Sequence, residues 1–598
     1  MARSLKHRRL YGGSNNYRGY IYFQNKLQSF MNKLILFFAM LTGCVITADA
    51  GEIHVNKKTS LEEALFQARE WRRLNAPEAT GGIHIYLDDN TYRLNKPLLI
   101  RPEDSGTAAS PTIIHGGTIS GAVSVKNWKK EGKLWVADAP MDGNKIIYSR
   151  QLWVNGRKAL RAQQFAADKM ERMIDFNAKE QTITIPTPKE NLTDANQLEM
   201  LVHQRWAIAI LRVKEMKKMG NNTVVRFHEP ESQLEFAHPW PQPVIGGEKG
   251  NSSFCLVNAK AFLNEPGEWY QDYPSGKIYY YPLNGEDMKK ATVEIPHLEQ
   301  LIRISGSEER PVTDIHFEGT TFCYAGWQRP SYEGHVTLQG GFRMLDAYKL
   351  QTPGLFHEAA LENQAWIARP EAAVAGAYAE RLTFKECSFT HLAATALDLE
   401  GFVNNSFILN NRFQDIGGTA IMAGYFGEQG FETHIPYLGK NICDNITIKE
   451  NLIQDATNED WGAVGIAAGY VSNINIVQNE VCDVNYSGIC VGWGWTALQS
   501  GMHDNRIEGN YVHRFAKQLY DAGGIYTLSN QPGSFIINNR IEAPTEAPYA
   551  TNDRGFCIYF DEATDGYTVE NNWMPSESFG YNQPGPAMII RNNGPQVK

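Results

Sequence analysis

The chain has 598 residues, 42% of them hydrophobic, with 27 Tyr, 27 Phe and 13 Trp, which is ample for a large core and excludes a disordered protein. Its formal charge is −9; the first fifty residues hold seven Lys or Arg against one Asp, so without them the charge becomes −15. A balance that acidic argues against nucleic acid as a partner.

Residues 1–50 read as an upstream extension plus an export signal, with translation expected to start at Met31. Met31-Asn32-Lys33 supplies the charged start, Leu34 to Ile46 the apolar core, and Ala48-Asp49-Ala50 the cleavage signature. The expected location is therefore exported, periplasmic or at the cell surface. Leu41-Thr42-Gly43-Cys44 offers the alternative of a lipoprotein anchored through Cys44, although apolar Val45 and Ile46 favour a continuing export core. No later apolar run is long enough to span a bilayer.

Residues 51–128 read as a cap and first rungs. Ser60 and Glu63 form a capping box ahead of Leu61, Ala64, Leu65, Ala68 and Trp71 at helical spacing, and the alternating strand Ile83, Ile85, Leu87 runs into the turn Asp88-Asp89-Asn90. Residues 129–296 carry hairpin-like segments, such as 151–156 and 276–282, and read as an inserted β-rich domain. Rungs are expected to resume near Ile315 within a segment, 297–598, that holds the main solenoid. Residues 326–379 form an interruption too long for a plain turn and read as a lid over one face.

Six related phrases then recur, each an alternating apolar strand ending in asparagine: Asn411, Asn451, Asn479, Asn510, Asn539 and Asn572, at steps of 40, 28, 31, 29 and 33 residues. A loose period of that size with strand content marks a solenoid, because one rung buries its apolar face only against the rungs above and below. Asparagine suits the corner by tolerating left-handed backbone and by bonding to the same amide one rung away. The fold class is all-β, a right-handed parallel β-helix. Cys387, Cys482, Cys490 and Cys557 fall inside rung strands and read as buried small hydrophobes rather than disulfides or ligands.

After each asparagine comes a second strand, a small residue followed by isoleucine: Ala420-Ile421, Gly465-Ile466, Gly488-Ile489, Gly524-Ile525 and Cys557-Ile558. With isoleucine inward, alternation turns Met422, Ala467, Cys490, Tyr526 and Tyr559 outward, followed two residues on by Gly424, Gly469, Gly492, Leu528 and Asp561. The stacked glycines are expected to leave a trough beside Asp561 and the tyrosines, with Trp493 and Trp495 on its rim to hold sugar. Asp521 precedes its strand one rung earlier; full extension would put it roughly 20 Å from Asp561, unless Gly523 and Gly524 bend the chain. Asp460, Glu459 and Trp461 occupy the corresponding loop two rungs below, Glu562 adjoins Asp561, and His513, Arg554 and His391 are lesser candidates. Two carboxyls facing one glycosidic oxygen are what glycoside hydrolysis requires. The catalytic candidates are Asp521 and Asp561; the substrate-binding candidates are Trp493, Trp495, Tyr526, Tyr559, Trp461, His513, Asp460 and Glu562. No metal or cofactor is expected. A polysaccharide lyase or a non-catalytic glycan-binding β-helix are the alternatives, since a fold alone does not fix function.

The ordered set 461–466, 486–495, 521–527, Gln531-Pro532-Gly533 and 558–562, with 265–270 ahead of the rungs, resembles glycoside hydrolase family 141. The resemblance covers most of the exported chain. It implies a pectate-lyase-like solenoid acting on plant cell-wall glycans, as an α-L-fucosidase on pectic side chains or a xylanase, with an oligo- or polysaccharide as its partner. It also implies that the family's two catalytic aspartates fall on Asp521 and Asp561. The chain departs from the family pattern at Ala522, Ala563 and Arg514.

Overall fold

The computed structural model describes residues 50–598 apart from 57, 167, 193–194, 347–364, 428–431 and 434–435. The expected signal and lipidation residues, and much of the expected lid, lie outside the described residues.

The solenoid is a parallel β-helix with three long faces. The first sheet has 12 strands, the second nine and the third 10, and a short sheet of five strands makes an additional face. Each turn of the chain lays one short strand on each long face, in register with the turn before. The strand Gly51–Val55 precedes the capping helix and pairs in parallel with Ile83–Leu87, so the helix links two rungs. That helix, Leu61–Arg73, has the full capping box between Ser60 and Glu63 and buries Leu61, Ala64, Leu65 and Ala68 in the open end of the core.

Asparagine supplies a continuous polar seam inside an apolar stack. The side chain of Asn411 donates to Asn451, Asn451 to Asn479, Asn479 to Asn510, Asn510 to Asn539 and Asn539 to Asn572, each at 2.9–3.0 Å. Asn572 donates in turn to Asn593, a seventh member outside the six-phrase repeat. Each Oδ1 in the run also accepts the backbone N–H of the preceding asparagine, so one buried amide satisfies several groups that burial would otherwise leave unpaired. The left-handed corner residue is not the ladder asparagine but its predecessor: Asn410, Glu450, Gln478, Gly509, Asn538, Asn571 and Asn592 all have φ between 50° and 64°.

The small residue ahead of each third-sheet isoleucine also has a steric cause. A Cβ on Gly465 or Gly488 would sit 2.6 Å from Val481 or Val512, and one on Gly524 2.5 Å from Ile541. Second-sheet side chains fill the space at that corner, so glycine lets the chain turn from the second sheet into the third.

The chain leaves the solenoid at Ala122–Ser124 and returns antiparallel beside itself at Val293–Pro296. Those two strands belong to a four-stranded sheet, and between them in the chain lie sheets of five and seven strands, the last containing the long strand Ala207–Met219. Rungs resume at Ile302–Ser305, paired with Leu98–Ile100, earlier than the expected Ile315. The interruption after Gly326 also ends earlier than expected, because Ala372–Ala377 is already a rung of the third sheet. Within it, Arg343–Asp346 and Trp366–Ala368 form an antiparallel pair.

Candidate active site

Register places the outward residues as alternation requires. Met422, Ala467, Cys490, Tyr526 and Tyr559 are successive partners on the third sheet, and Gly580 follows Tyr559. Their inward neighbours Ile421, Ile466, Ile489, Ile525 and Ile558 are wholly buried.

The expected glycine trough is not open. A Cβ on Gly469 would lie 2.5 Å from the Tyr425 carbonyl and 2.8 Å from the Phe426 ring, and one on Gly492 2.2 Å from the Leu528 carbonyl. Neighbouring rungs close over these glycines, which leaves no room for a sugar. The cavity lies further along the same face, at the two tyrosine rungs, and holds about 170 Å³. Asp521, Asp561, Tyr526, Tyr559, Trp495 and Glu562 all line it.

Asp521 reaches this cavity through its own backbone, which turns out of the extended form at φ +59°. Its side chain accepts from the Tyr559 hydroxyl at 3.1 Å and from Arg554 at 3.3 Å, and its carbonyl accepts from Tyr486 at 3.0 Å. Full extension across this segment, with its 20 Å separation, is therefore not what the chain adopts. Gly523 and Gly524 contribute by lacking a side chain rather than by bending to positive φ: a Cβ on Gly523 would lie 3.0 Å from that of Tyr559. Asp561 follows its strand directly, accepting from the Tyr526 hydroxyl and from Asn582 at 2.7 Å. The tyrosine rings meet edge to face, 5.4 Å between centroids at 86°.

Burial pushes the Asp561 carboxyl up to about 6, and the nearby Asp521 charge adds to the rise, against the opposing hydrogen bonds of Tyr526 and Asn582. Burial also drives both tyrosine hydroxyls far above the usual phenol range, so they act as donors. Arg554 is the counter-charge of Asp521, and its own pKa is raised chiefly by that carboxylate. The result is two carboxyls in unlike environments, one acid-like and one ion-paired, lining one cavity.

Four expected residues stand elsewhere. Trp493 is 4% exposed, packed against Phe342 and Phe426, because the third-sheet face beneath it is covered. Asp460 is turned inward by its bond to His335 at 3.0 Å. Trp461 lines a different cavity with Lys158, Arg161 and Glu459 at the foot of the inserted domain. His513 belongs to the second sheet, where it stacks on Tyr511 and meets Glu480 at 3.1 Å. His391, a lesser candidate, bonds Asp415 on the second sheet at 2.7 Å. Glu480, Cys482 and His513 have ligand-type atoms within 4.8 Å of one another. Arg514 donates to His513 Nδ1 at 2.7 Å, so the other ring nitrogen carries the proton facing Glu480 and is not open to a cation.

The opposite wall comes from segments with no repeat signature. Arg205 and Trp206 form the tip of a two-residue hairpin loop joining Glu199–Gln204 to Ala207–Met219. Trp240 stacks near Trp206 at 6.1 Å, and Leu338 and Gln339 arrive from the interruption after Gly326. The Trp206 indole donates to the Leu338 carbonyl at 2.9 Å, joining the two segments over the third sheet. Tyr486 and Asn582 complete the cavity, and Tyr486 already stood in the 486–495 segment without a role.

The structure thus presents a parallel β-helix with a cleft lined by two carboxyls and aromatic side chains. The family model described as "GH141 insertion domain" matches residues 132–283. A solved protein described as "Glycoside hydrolase" is 39% identical, with a TM-score of 0.89, covering 92% of this chain and 97% of its own. This chain belongs to glycoside hydrolase family 141. A complex of XylC with xylose is similar at a TM-score of 0.40 and 12% identity over 92% of this chain and 86% of that one. The Streptococcus pneumoniae surface adhesin PfbA follows at 0.27 and 14% over 50% and 66%. Both are too distant to bear on function. No curated protein matches the chain.

Proposed function

We propose that this glycoside hydrolase cleaves glycosidic bonds of a plant cell-wall polysaccharide or of pectic side chains, as an α-L-fucosidase-like or xylanase-like enzyme. Asp561 acts as the general acid, and Asp521 as nucleophile or base. The observation that carries the reading is the pairing of a carboxyl whose pKa is raised to about 6 with an arginine-paired carboxylate in one cavity. The acid protonates the leaving oxygen, and the second carboxylate attacks the anomeric carbon or activates water there. Tyr526 and Tyr559 hold the two carboxyls in place. An exported location belongs to the same proposal and rests on residues 31–50.

The test is a panel of defined pectic and xylan oligosaccharides with the wild type, Asp521→Asn and Asp561→Asn. Each substitution should lower kcat by about 100-fold or more while the fold is retained. Full activity in either variant removes that residue from the mechanism. Proton NMR of the first anomer released then separates retention from inversion.

A further inference from the structure

The hairpin tip that closes the cleft carries an arginine in an unusual state. Arg205 occupies the first of two loop positions between paired Gln204 and Ala207 with φ +44°, where glycine is the inexpensive choice. Backbone strain of this kind persists where its surroundings enforce it and is concentrated at ligand sites. The enforcement is visible: the Arg205 carbonyl accepts from the Tyr520 N–H at 3.1 Å, and adjoining Trp206 is tied to Leu338.

The side chain is held but not neutralised. Its guanidinium lies over the Trp240 ring, 4.6 Å from the centroid, and its Nε is buried without a hydrogen-bond partner. Among the described residues it forms no ion pair, and the other arginine of the cavity, Arg554, is already engaged by Asp521. With Nε buried, the two terminal nitrogens are the part of the stacked guanidinium left for planar two-point recognition, which a carboxylate fits and a lone hydroxyl does not. A substrate filling the cavity would strip water from this cation, a costly step unless the substrate brings an anion.

We propose that Arg205, braced by Trp240, is a specificity-determining residue that binds the carboxylate of a uronic acid in the glycan, next to the sugar being released. This rests on the glycosidase reading of the same cavity. The acidic residue could be the galacturonate of a pectic fragment or the glucuronate of a decorated xylan, and the two share the recognised group.

The experiment uses the full chain carrying Asp561→Asn, so that binding is read without turnover. Calorimetry compares a galacturonate-bearing pectic oligosaccharide and a glucuronate-bearing xylo-oligosaccharide, each with its carboxyl-reduced counterpart. At least one acidic member should bind tenfold or more tighter than its reduced partner, with a difference that shrinks as salt rises. Arg205→Met should erase that difference and leave the reduced partner's affinity unchanged, while Arg205→Lys keeps part of it. Equal loss for acidic and reduced ligands, an unchanged preference in Arg205→Met, or no binding by either acidic probe overturns the assignment. Failure of the glycosidase reading looks different: the wild type turns over none of the oligosaccharides, while the carboxylate preference stands.

Discussion

Tyr559 donates its hydroxyl to Asp521, a residue of the rung before its own, while Tyr526 of that earlier rung donates to Asp561. The two bonds cross, so each carboxyl is oriented by the neighbouring turn of the solenoid. The site therefore depends on the register between Ala522–Thr527 and Gly555–Phe560.

The crossing makes the two tyrosines separable by pH. A general acid must be protonated, so activity should decline on the alkaline side around the Asp561 value of about 6. The Tyr526 bond favours the ionised form of Asp561, so Tyr526→Phe should move the alkaline limb to higher pH. Tyr559→Phe, acting on Asp521, should lower kcat by about tenfold, the equivalent of one charge-assisted hydrogen bond of about 1.4 kcal/mol. Rate profiles from pH 4 to pH 9 check both.

Gly580 is the partner of Tyr559 on the following rung, and a Cβ there would lie 2.4 Å from Phe556 and 2.7 Å from the Tyr559 ring. Gly580→Ala should displace that ring from Asp521, with a cost in stability of about 1–3 kcal/mol from overpacking. Activity should fall below that of Tyr559→Phe, since the ring itself is moved. Steady-state kinetics beside urea unfolding separates the two effects.

The asparagine ladder sets the stability of the whole stack. Asn479→Ala removes the acceptor of the Asn451 N–H and side chain, and the donor to Ile448 and Asn510. Leaving those buried groups unpaired should cost about 3 kcal/mol or more. Asn593→Ala should cost less, because its side chain bonds one ladder amide, that of Asn572, where Asn479 bonds two. Denaturant midpoints of the two variants give the comparison.

Beneath the cleft wall, Glu235 is buried with only the Gln204 amide as a partner, and its Oε2 has none. Burial pushes this carboxyl up to about 8. The folded state thus holds a proton that the unfolded state releases above its ordinary range, so stability falls as pH rises from 4.5 to 8, by up to about 1.4 kcal/mol per unit. Glu235→Gln should remove that slope: its gain in Tm over the wild type should be small at pH 5 and grow towards pH 8.

The sequence by itself determined the solenoid, its core and the outward order of one face. These are local properties: alternation fixes which side chains share a face, and a repeated asparagine at each corner fixes where rungs stack, so Tyr526 and Tyr559 were legible as neighbours. Asp521 and Asp561 were legible as candidates, but not the turn at Asp521 that brings it under Tyr559. Tertiary structure alone decided which outward residues stay open. Phe342 and Phe426 cover Trp493, and His335 draws Asp460 inward. The far wall, with Arg205 and Trp240, comes from an insertion more than 250 residues before the aspartates, whose docking depends on contacts between distant segments that no local pattern encodes.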